Sequence, residues 1–378
     1  MLVYFVTVFS LYYLFCLLLL YGWRRASSAG TAIAHADLPM VSVVISVRNE
    51  ADNIARLLRA LEAQDFPKDR FEVIVVDDHS GDNTMEIVQE FAAETVLRIT
   101  TDSLSDVGKV GHAFKKAALL AGIAKANGEL LAMTDGDCWM GEGWLRSMVR
   151  VFANPTTMFA AGPVTLAENR SLFSKIQSLE FSSLIGSGAA MIRLGYPLMC
   201  NGANLTFRKS AFEEVGGYDG FQHHPSGDDV FLMQKMHFQY GGGVVFVNDA
   251  AAMVHTDAVK SVAQLVSQRR RWASKWRLYP LKGSWILPVF LFIHYLGVIL
   301  LLLLGIAGAI AIPTVALLMV GKAVLDFVLL WKVRSFFHLP VRIGVFLLAE
   351  LVYPFYAIGI GVLVHFGFWN WKGRKHKS

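Results

Sequence analysis

The order of apolar and polar positions divides the chain into zones of different period. Residues Leu2 to Tyr21 are apolar and uncharged, long enough to cross a bilayer as a helix. Arg24 and Arg25 follow, then a small-residue, polar stretch that reads as a linker. Val41 to Val47 is an almost continuous β-branched run, the signature of a parallel strand buried on both faces, and Arg48-Asn49-Glu50 ends it. Ile54, Leu57, Leu58 and Leu61 give Asn53 to Ala63 a helical spacing. Phe71 to Val76 predicts a second strand, His79 to Asn83 a turn and helix start, Thr84 to Ala93 a helix, and Val96 to Thr100 a third strand. A helix over Phe114 to Ala126 stops at Asn127-Gly128, and a fourth strand over Leu130 to Thr134 delivers Asp135. Strands alternating with helices predict a doubly wound α/β fold, in which ligands sit beyond the carboxyl ends of the strands.

The second half is less regular. Strands are expected at Phe159 to Val164, Gly202 to Phe207 and Val244 to Val247. Helices are expected at Leu172 to Arg193 and from Asp228 to Phe238. Val259 to Trp276 carries Arg and Lys on one side and Val262, Leu265, Val266, Trp272 and Trp276 elsewhere, which suggests an amphipathic helix at a membrane interface. Residues 286–331 predict two spanning helices broken near Ala311-Ile312-Pro313, and Val345 to Phe368 a last segment kinked by Pro354. Lys322 and Asp326, four apart within a span, are expected to pair.

Composition sharpens this division. The 378 residues are 54% hydrophobic. With a mean hydropathy of +0.44, the chain is too apolar for one ordinary soluble domain. Basic residues following the first apolar run, rather than preceding it, favour an uncleaved anchor over a signal peptide and place the α/β domain in the cytoplasm. Three cysteines, Cys16, Cys138 and Cys200, show no metal-ligand spacing, as expected of a reducing compartment. The net charge is +5; basic residues next to membrane segments more often serve anionic lipid than nucleic acid, and no nucleic-acid motif is present. Topology leaves a conflict: three spans after a cytoplasmic domain put the tail outside, whereas Lys372, Arg374, Lys375 and Lys377 favour the inside.

Carboxylates carry the candidate chemistry. Asp78 and Asp135 fall at strand ends, and Asp137 lies two residues further on. Asp228 and Asp229 open a helix, where they would also serve as ordinary caps. Clustered carboxylates hold a divalent cation, and a cation holds a diphosphate. The ordered set Ser42 to Glu50, Val76-Asp77-Asp78-His79-Ser80, Thr134-Asp135-Gly136-Asp137, Gly227-Asp228-Asp229 and Gln268-x-x-Arg271-Trp272 closely resembles the family-2 glycosyltransferases, over about residues 40–275.

That resemblance implies a GT-A fold: a doubly wound mixed sheet with a Rossmann-like nucleotide-binding half, here combined with transmembrane helices. It implies a membrane-embedded, inverting glycosyltransferase using a nucleotide-diphosphate sugar, with a UDP-sugar expected, and a lipid, lipid-linked or polysaccharide acceptor. Ser46, Arg48, Glu50 and Asp78 match the nucleotide-binding positions, as does either Lys115 or Lys116. Asp135 and Asp137 match the pair that holds the ribose and a cation, Mg2+ or Mn2+, with Asp137 the direct ligand. Asp229 matches the catalytic base, although Asp228 stands where the family more often has Glu, which leaves both carboxylates in play. Arg271 matches a group that neutralises the leaving diphosphate and Trp272 one that stacks on an acceptor ring; Gln268 completes that motif and Asn204 belongs to the loop beneath the acceptor. His255 is expected to be structural, and Arg269 and Arg270 to be ordinary interfacial charges.

The expected organisation is an anchor over 1–23, a linker over 24–39, a GT-A catalytic domain over 40–258, the amphipathic helix over 259–284, a C-terminal membrane region of about three helices over 285–370 and a basic tail over 371–378. Alternatives are a processive polysaccharide synthase of the same family, a nucleotidyltransferase with a related sheet, and an inactive relative serving as an assembly subunit. The sequence leaves the oligomeric state open.

Overall fold

The computed structural model describes residues 1–25, 38–104, 114–224, 226–275, 278–364, 368–371 and 374–377. Most of the expected linker, and Trp276 of the expected amphipathic helix, lie outside the described residues, as do the side chains of the basic tail. The chain divides into two compact units, one of Ala26–Ala167 with Ile192–Asp257 and one of Met1–Arg25, Glu168–Met191 and Ala258–Ser378.

In the first unit the strands are β1 (Val41–Val47), β2 (Phe71–Asp77), β3 (Ile99–Ser103), β4 (Leu130–Asp135), β5 (Trp139–Met140), β6 (Phe159–Ala161), β7 (Val164–Ala167), β8 (Leu205–Arg208), β9 (Val244–Phe246) and β10 (Val254–Asp257). The helices are α2 (Ile54–Glu62), α3 (Thr84–Glu94), α4 (Phe114–Lys125), α5 (Trp144–Arg150), α7 (Lys209–Glu214) and α8 (Asp228–Tyr240). A seven-stranded sheet runs β3-β2-β1-β4-β8-β6-β9. Its first four strands are parallel; β8 is antiparallel to both β4 and β6, which makes the sheet mixed. β1 and β2 are buried almost without a break because α2, α3 and α4 cover the parallel half, and this is why their sequences do not alternate. At Gly122 of α4 a Cβ would lie 2.6 Å from Val44 Cγ1, so glycine lets that helix approach the sheet.

Strand order reverses between β1 and β4, the two central neighbours. Their carboxyl ends are in register, with Ser46 opposite both Val76 and Asp135, and Val47 opposite Asp77. Such a switch point opens a crevice because the chain leaves the two strands in opposite directions.

The expected single strand over Phe159 to Val164 is two strands. Gly162 and Pro163 break it, β6 stays in the main sheet, and β7 joins a second sheet of order β5-β10-β7. β3 also starts later than the apolar residues suggested; it is a half-exposed edge strand, so burial does not impose its pattern.

The second unit contains α1 (Leu2–Arg24), all but the last two residues of α6 (Leu172–Arg193), α9 (Val262–Ala273), α10 (Ile286–Ile306), α11 (Ile312–Phe336) and α12 (Ile343–Leu363). Backbone strands β11 (Phe368–Trp371) and β12 (Arg374–Lys377) pair antiparallel. Among the described residues, α1, α10, α11 and α12 are long and apolar enough to cross a membrane. Phe5 and Phe9 of α1 pack on Val298 and Leu301 of α10 and on Leu318 of α11. Pro313 stands in the first turn of α11, where its missing N–H is harmless. Lys322 is 1% exposed and pairs with Asp326 at 2.7 Å, as expected, and also with Glu350 of α12 at 2.6 Å. Tyr12 of α1 donates to Asp326 at 2.8 Å, so three helices share one polar cluster.

Candidate functional site

The site in the first unit is assembled from the ends of β1, β2 and β4, the start of α8 and one face of α4. The loops after β1 and β2 are stitched together by short-range polar contacts. Asn49 N donates to Ser80 Oγ, Gly81 N to Asn49 Oδ1, Glu50 N to Thr84 Oγ1 and Ala51 N to Asp82 Oδ2, at 2.8–3.2 Å. Asn49 and His79 take positive φ, 51° and 57°, to make the two turns. Arg48 Nη1 donates to the carbonyl oxygens of Asp78 and His79 at 2.7 and 3.2 Å and lies 3.9 Å from Asp78 Oδ1. Asp78 is 1% exposed, with His79 Nδ1 at 3.2 Å, whereas Asp77 caps the turn by accepting from Ser80 N.

The glycine between Asp135 and Asp137 has a steric reason. A Cβ at Gly136 would lie 3.0 Å from Glu50 Cγ and 3.2 Å from Val47 Cγ1, so the loop after β1 packs directly on this turn. Glu50 is buried and accepts from Asn53 Nδ2 at 2.9 Å, which fixes its carboxylate. Ser46, Arg48, Glu50, Asp78 and Asp135 are thus gathered at one end of the sheet.

Lys115 ties this cluster to α8. Its Nζ lies 2.7 Å from Asp135 Oδ1 and 3.5 Å from Asp228 Oδ2. Burial disfavours its ammonium, but Asp135 and Asp228 outweigh that effect and raise its pKa. Lys116, the alternative, points elsewhere because one residue along a helix is a rotation of about 100°. Its Nζ donates to the carbonyls of Phe221, His224 and Ser226 at 2.7–3.1 Å, and burial lowers its pKa to about 8. Lys116 therefore anchors the loop before α8, while Lys115 faces the carboxylates. Leu119, Met133, Thr134, Gly202, Leu205 and Tyr218 complete the lining of a small pocket around Lys115, Asp135 and Asp228.

Asp228 and Asp229 occupy the first turn of α8, after Gly227 at φ 85°. Asp229 Oδ2 accepts from Gly202 N at 3.2 Å and Oδ1 from Val230 N at 2.8 Å. The loop over residues 201–204 is held from below by Asn204. That side chain is fully buried; Nδ2 donates to the carbonyls of Pro163 and Ala252 at 2.8 Å, and Oδ1 accepts from Trp144 Nε1 at 2.9 Å. Its amide is spent on the framework, so Asn204 supports this loop rather than offering a group to a ligand. Trp144 lies on α5, a helix that the sequence pattern did not show.

Asp137 and Asp135 lie on one turn, and the neighbouring Cys138 thiol is turned inward. Burial, with Asp137 and Asp135, pushes that thiol up and keeps it protonated. Among the described residues no three His, Cys, Asp or Glu side chains gather as a ready-made metal cage. Two carboxylates do fit Mg2+ or Mn2+, which typically take one or two protein carboxylates and complete their shell with substrate phosphates and water. His255 lies on β10 directly opposite Trp139, its ring stacked on the indole at 5.5 Å; burial lowers its pKa and leaves it neutral. The Arg56 guanidinium also lies over Trp139, at 3.7 Å, and donates to the Asp137 carbonyl at 3.3 Å.

Gln268, Arg271 and Trp272 all lie on α9 in the second unit. Ser261 Oγ caps that helix by accepting from Gln264 N. Arg269, expected to be an ordinary interfacial charge, is instead buried between the motif residues, 6% exposed and paired with Glu180 of α6 at 2.7 Å. A charge that is buried only by its partner from another helix leaves no trace in local spacing.

Comparison with known proteins bears on the family and the fold. The model of glycosyl transferase family 2 matches residues 42–216, and that of glycosyl transferase family group 2 matches residues 130–370, more than half of the chain. Glycosyltransferase AglE of Haloferax volcanii is 32% identical over 208 residues, covering 53% of this chain and 62% of its own length. Poly-beta-1,6-N-acetyl-D-glucosamine synthase of Staphylococcus epidermidis is 25% identical over 254 residues, covering 66% of this chain and 58% of its own. The chain therefore spans about six-tenths of the length of these relatives. Among solved structures, the mannosyltransferase PcManGT of Pyrobaculum calidifontis, in complex with GDP-Man and Mn2+, superposes with a TM-score of 0.55 at 20% identity, covering 93% of this chain and 96% of that one. The mixed sheet is the GT-A fold, and the chain belongs to the family-2 glycosyltransferases.

Proposed function

We propose that this chain is a multi-pass membrane enzyme with a cytoplasmic catalytic domain. It moves a sugar, with inversion, from a nucleoside-diphosphate sugar to a hydroxyl of a lipid, lipid-linked or polysaccharide acceptor. The observation that carries this reading is the bridge from Asp135 through Lys115 to Asp228, which joins the end of β4 to the start of α8. Residues distant in sequence meet at the switch point of the sheet, where nucleotides bind in such folds.

In this mechanism Ser46, Arg48, Glu50 and Asp78 hold the nucleoside, and Lys115 lies beside the ribose and diphosphate. Asp137 and Asp135 would hold Mg2+ or Mn2+, which supplies positive charge to the diphosphate when bound. Asp229 takes the proton from the acceptor hydroxyl as that oxygen attacks the anomeric carbon. The new carbon–oxygen bond forms on the face opposite the breaking bond to phosphate, and the nucleoside diphosphate leaves with the electron pair. Arg271 offsets the charge of the leaving group, with Gln268 beside it, and Trp272 stacks on the acceptor. Asp228 is held near Lys115, whereas Asp229 contacts the loop over residues 201–204, and this favours Asp229 as the base.

A UDP-sugar is the first donor to test, with GDP-sugars as the second class. The test is release of nucleoside diphosphate by purified protein with Mn2+ and membrane lipid extract. Asp229→Asn and Asp137→Ala are each expected to lower turnover by about 10²-fold or more. Full activity in both would refute the assigned roles.

A further inference from the structure

The second unit contains a buried polar constellation that the reaction scheme has not used. Glu180, in the third turn of α6, is joined to Arg269 by two bonds. Arg269 Nε donates to Oε1 at 3.0 Å and Nη2 to Oε2 at 2.7 Å. Tyr356 of α12 donates to the same Oε1 at 2.8 Å. The two charged side chains are 6% and 9% exposed, so solvent does little to screen them. The rest of the Arg269 guanidinium addresses its own helix: Nη1 donates to Gln268 Oε1, and Cζ lies 4.4 Å over the Trp272 ring. Phe181, beside Glu180, packs on Trp272 with ring centroids 6.1 Å apart.

We infer that Glu180 is a positioning residue for the Gln-x-x-Arg-Trp motif: through Arg269 it fixes the Gln268 amide and the Trp272 ring in the orientation that transfer requires. This rests on the glycosyltransferase reading above. A bidentate arginine–carboxylate pair has defined geometry, unlike a single-point contact, and a planar guanidinium stacked on an indole restricts the ring's tilt. Gln268 and Trp272 are both only partly buried, so without Arg269 their rotamers would be less restricted. The cost of two buried charges makes a purely supportive role a poor explanation, since a well-packed apolar pair would support the helices as well or better.

That last point provides the test. The double variant Glu180→Leu/Arg269→Met replaces the pair by apolar side chains of similar length and is expected to keep the unfolding midpoint of the detergent-solubilised full chain. Donor turnover with lipid extract is expected to fall on the order of 10²-fold, as for a misplacement of about 1 Å. Acrylamide quenching of Trp272, taken as the difference from a Trp272→Phe counterpart, is expected to rise. A double variant with wild-type turnover and quenching overturns the proposal. If the double variant does not fold, Tyr356→Phe decides. Removing one hydroxyl loosens Glu180 without uncovering a charge, and should lower turnover about threefold to tenfold, the size of one hydrogen bond of ordinary strength, with Trp272 quenching raised. Unchanged turnover and quenching in that variant overturn the proposal. A wild-type protein that turns over no nucleotide sugar sinks the glycosyltransferase reading instead, and Trp272 quenching still decides the positioning claim.

Discussion

Replacing Lys115 by Met keeps the length of the side chain and removes one positive charge from the centre of the site. The ammonium is 2.7 Å from Asp135 Oδ1 and 3.5 Å from Asp228 Oδ2. At an effective dielectric of about 20, unit charges at those separations attract by roughly 5–6 kcal/mol each, and in bulk water by roughly 1–1.5 kcal/mol. The Asp135 side chain is 36% exposed, so screening brings its pair toward the lower figure. About 1.5 kcal/mol corresponds to about a tenfold change in an equilibrium constant. Lys115→Met frees the Asp135 oxygen that a cation would share and removes a like charge beside it. Mn2+ binding without nucleotide should therefore tighten about tenfold, even though donor turnover falls because the diphosphate loses a cationic neighbour. Titration of free Mn2+ by electron paramagnetic resonance measures the first effect, and product release measures the second. Lys125→Met, which removes a peripheral pair with Asp102 at 2.9 Å, serves as the control. If Lys115→Met leaves Mn2+ affinity unchanged or weaker in folded protein, Asp135 is not a ligand of the cation and the reasoning fails.

Two other perturbations test the framework. Lys322→Met strands Asp326 and Glu350 in the apolar bundle and should destabilise it by about 3–5 kcal/mol. Thermal unfolding in detergent should show a lower midpoint, and replacing all three charges by apolar residues should restore it; an unchanged midpoint for Lys322→Met would contradict the cluster's role. Gly162→Ala puts a Cβ 2.2 Å from Asn204 Nδ2, the strut beneath residues 201–204, and should destabilise the protein by about 1–3 kcal/mol. Denaturant titration measures that loss, and wild-type stability would mean Asn204 has room to move.

Legibility in the sequence followed burial. β1, β2 and β4 lie where the apolar runs placed them, within a residue or so, because strands covered on both faces must be apolar at nearly every position. Their polar exceptions are also accounted for only in three dimensions. Ser42 and Glu72, inside β1 and β2, bond to each other at 2.7 Å, and Glu72 also accepts from Asn127 N, which holds its carboxyl below the usual range against the effect of burial. The edge strand β3 and the two-residue β5 lack that constraint, and their patterns were misleading or silent.

The sequence alone determined the family, the parallel half of the sheet, the apolar helices and the carboxylates at strand ends, since each is a local run or an ordered motif. Tertiary structure decided that Lys115 rather than Lys116 meets Asp135 and Asp228, that Asn204 is a buried strut, and that Arg269 is held by Glu180. Those choices depend on which side chain a neighbouring element approaches. The neighbour of Arg269 is 89 residues away in the chain, so no local period or spacing carries the information.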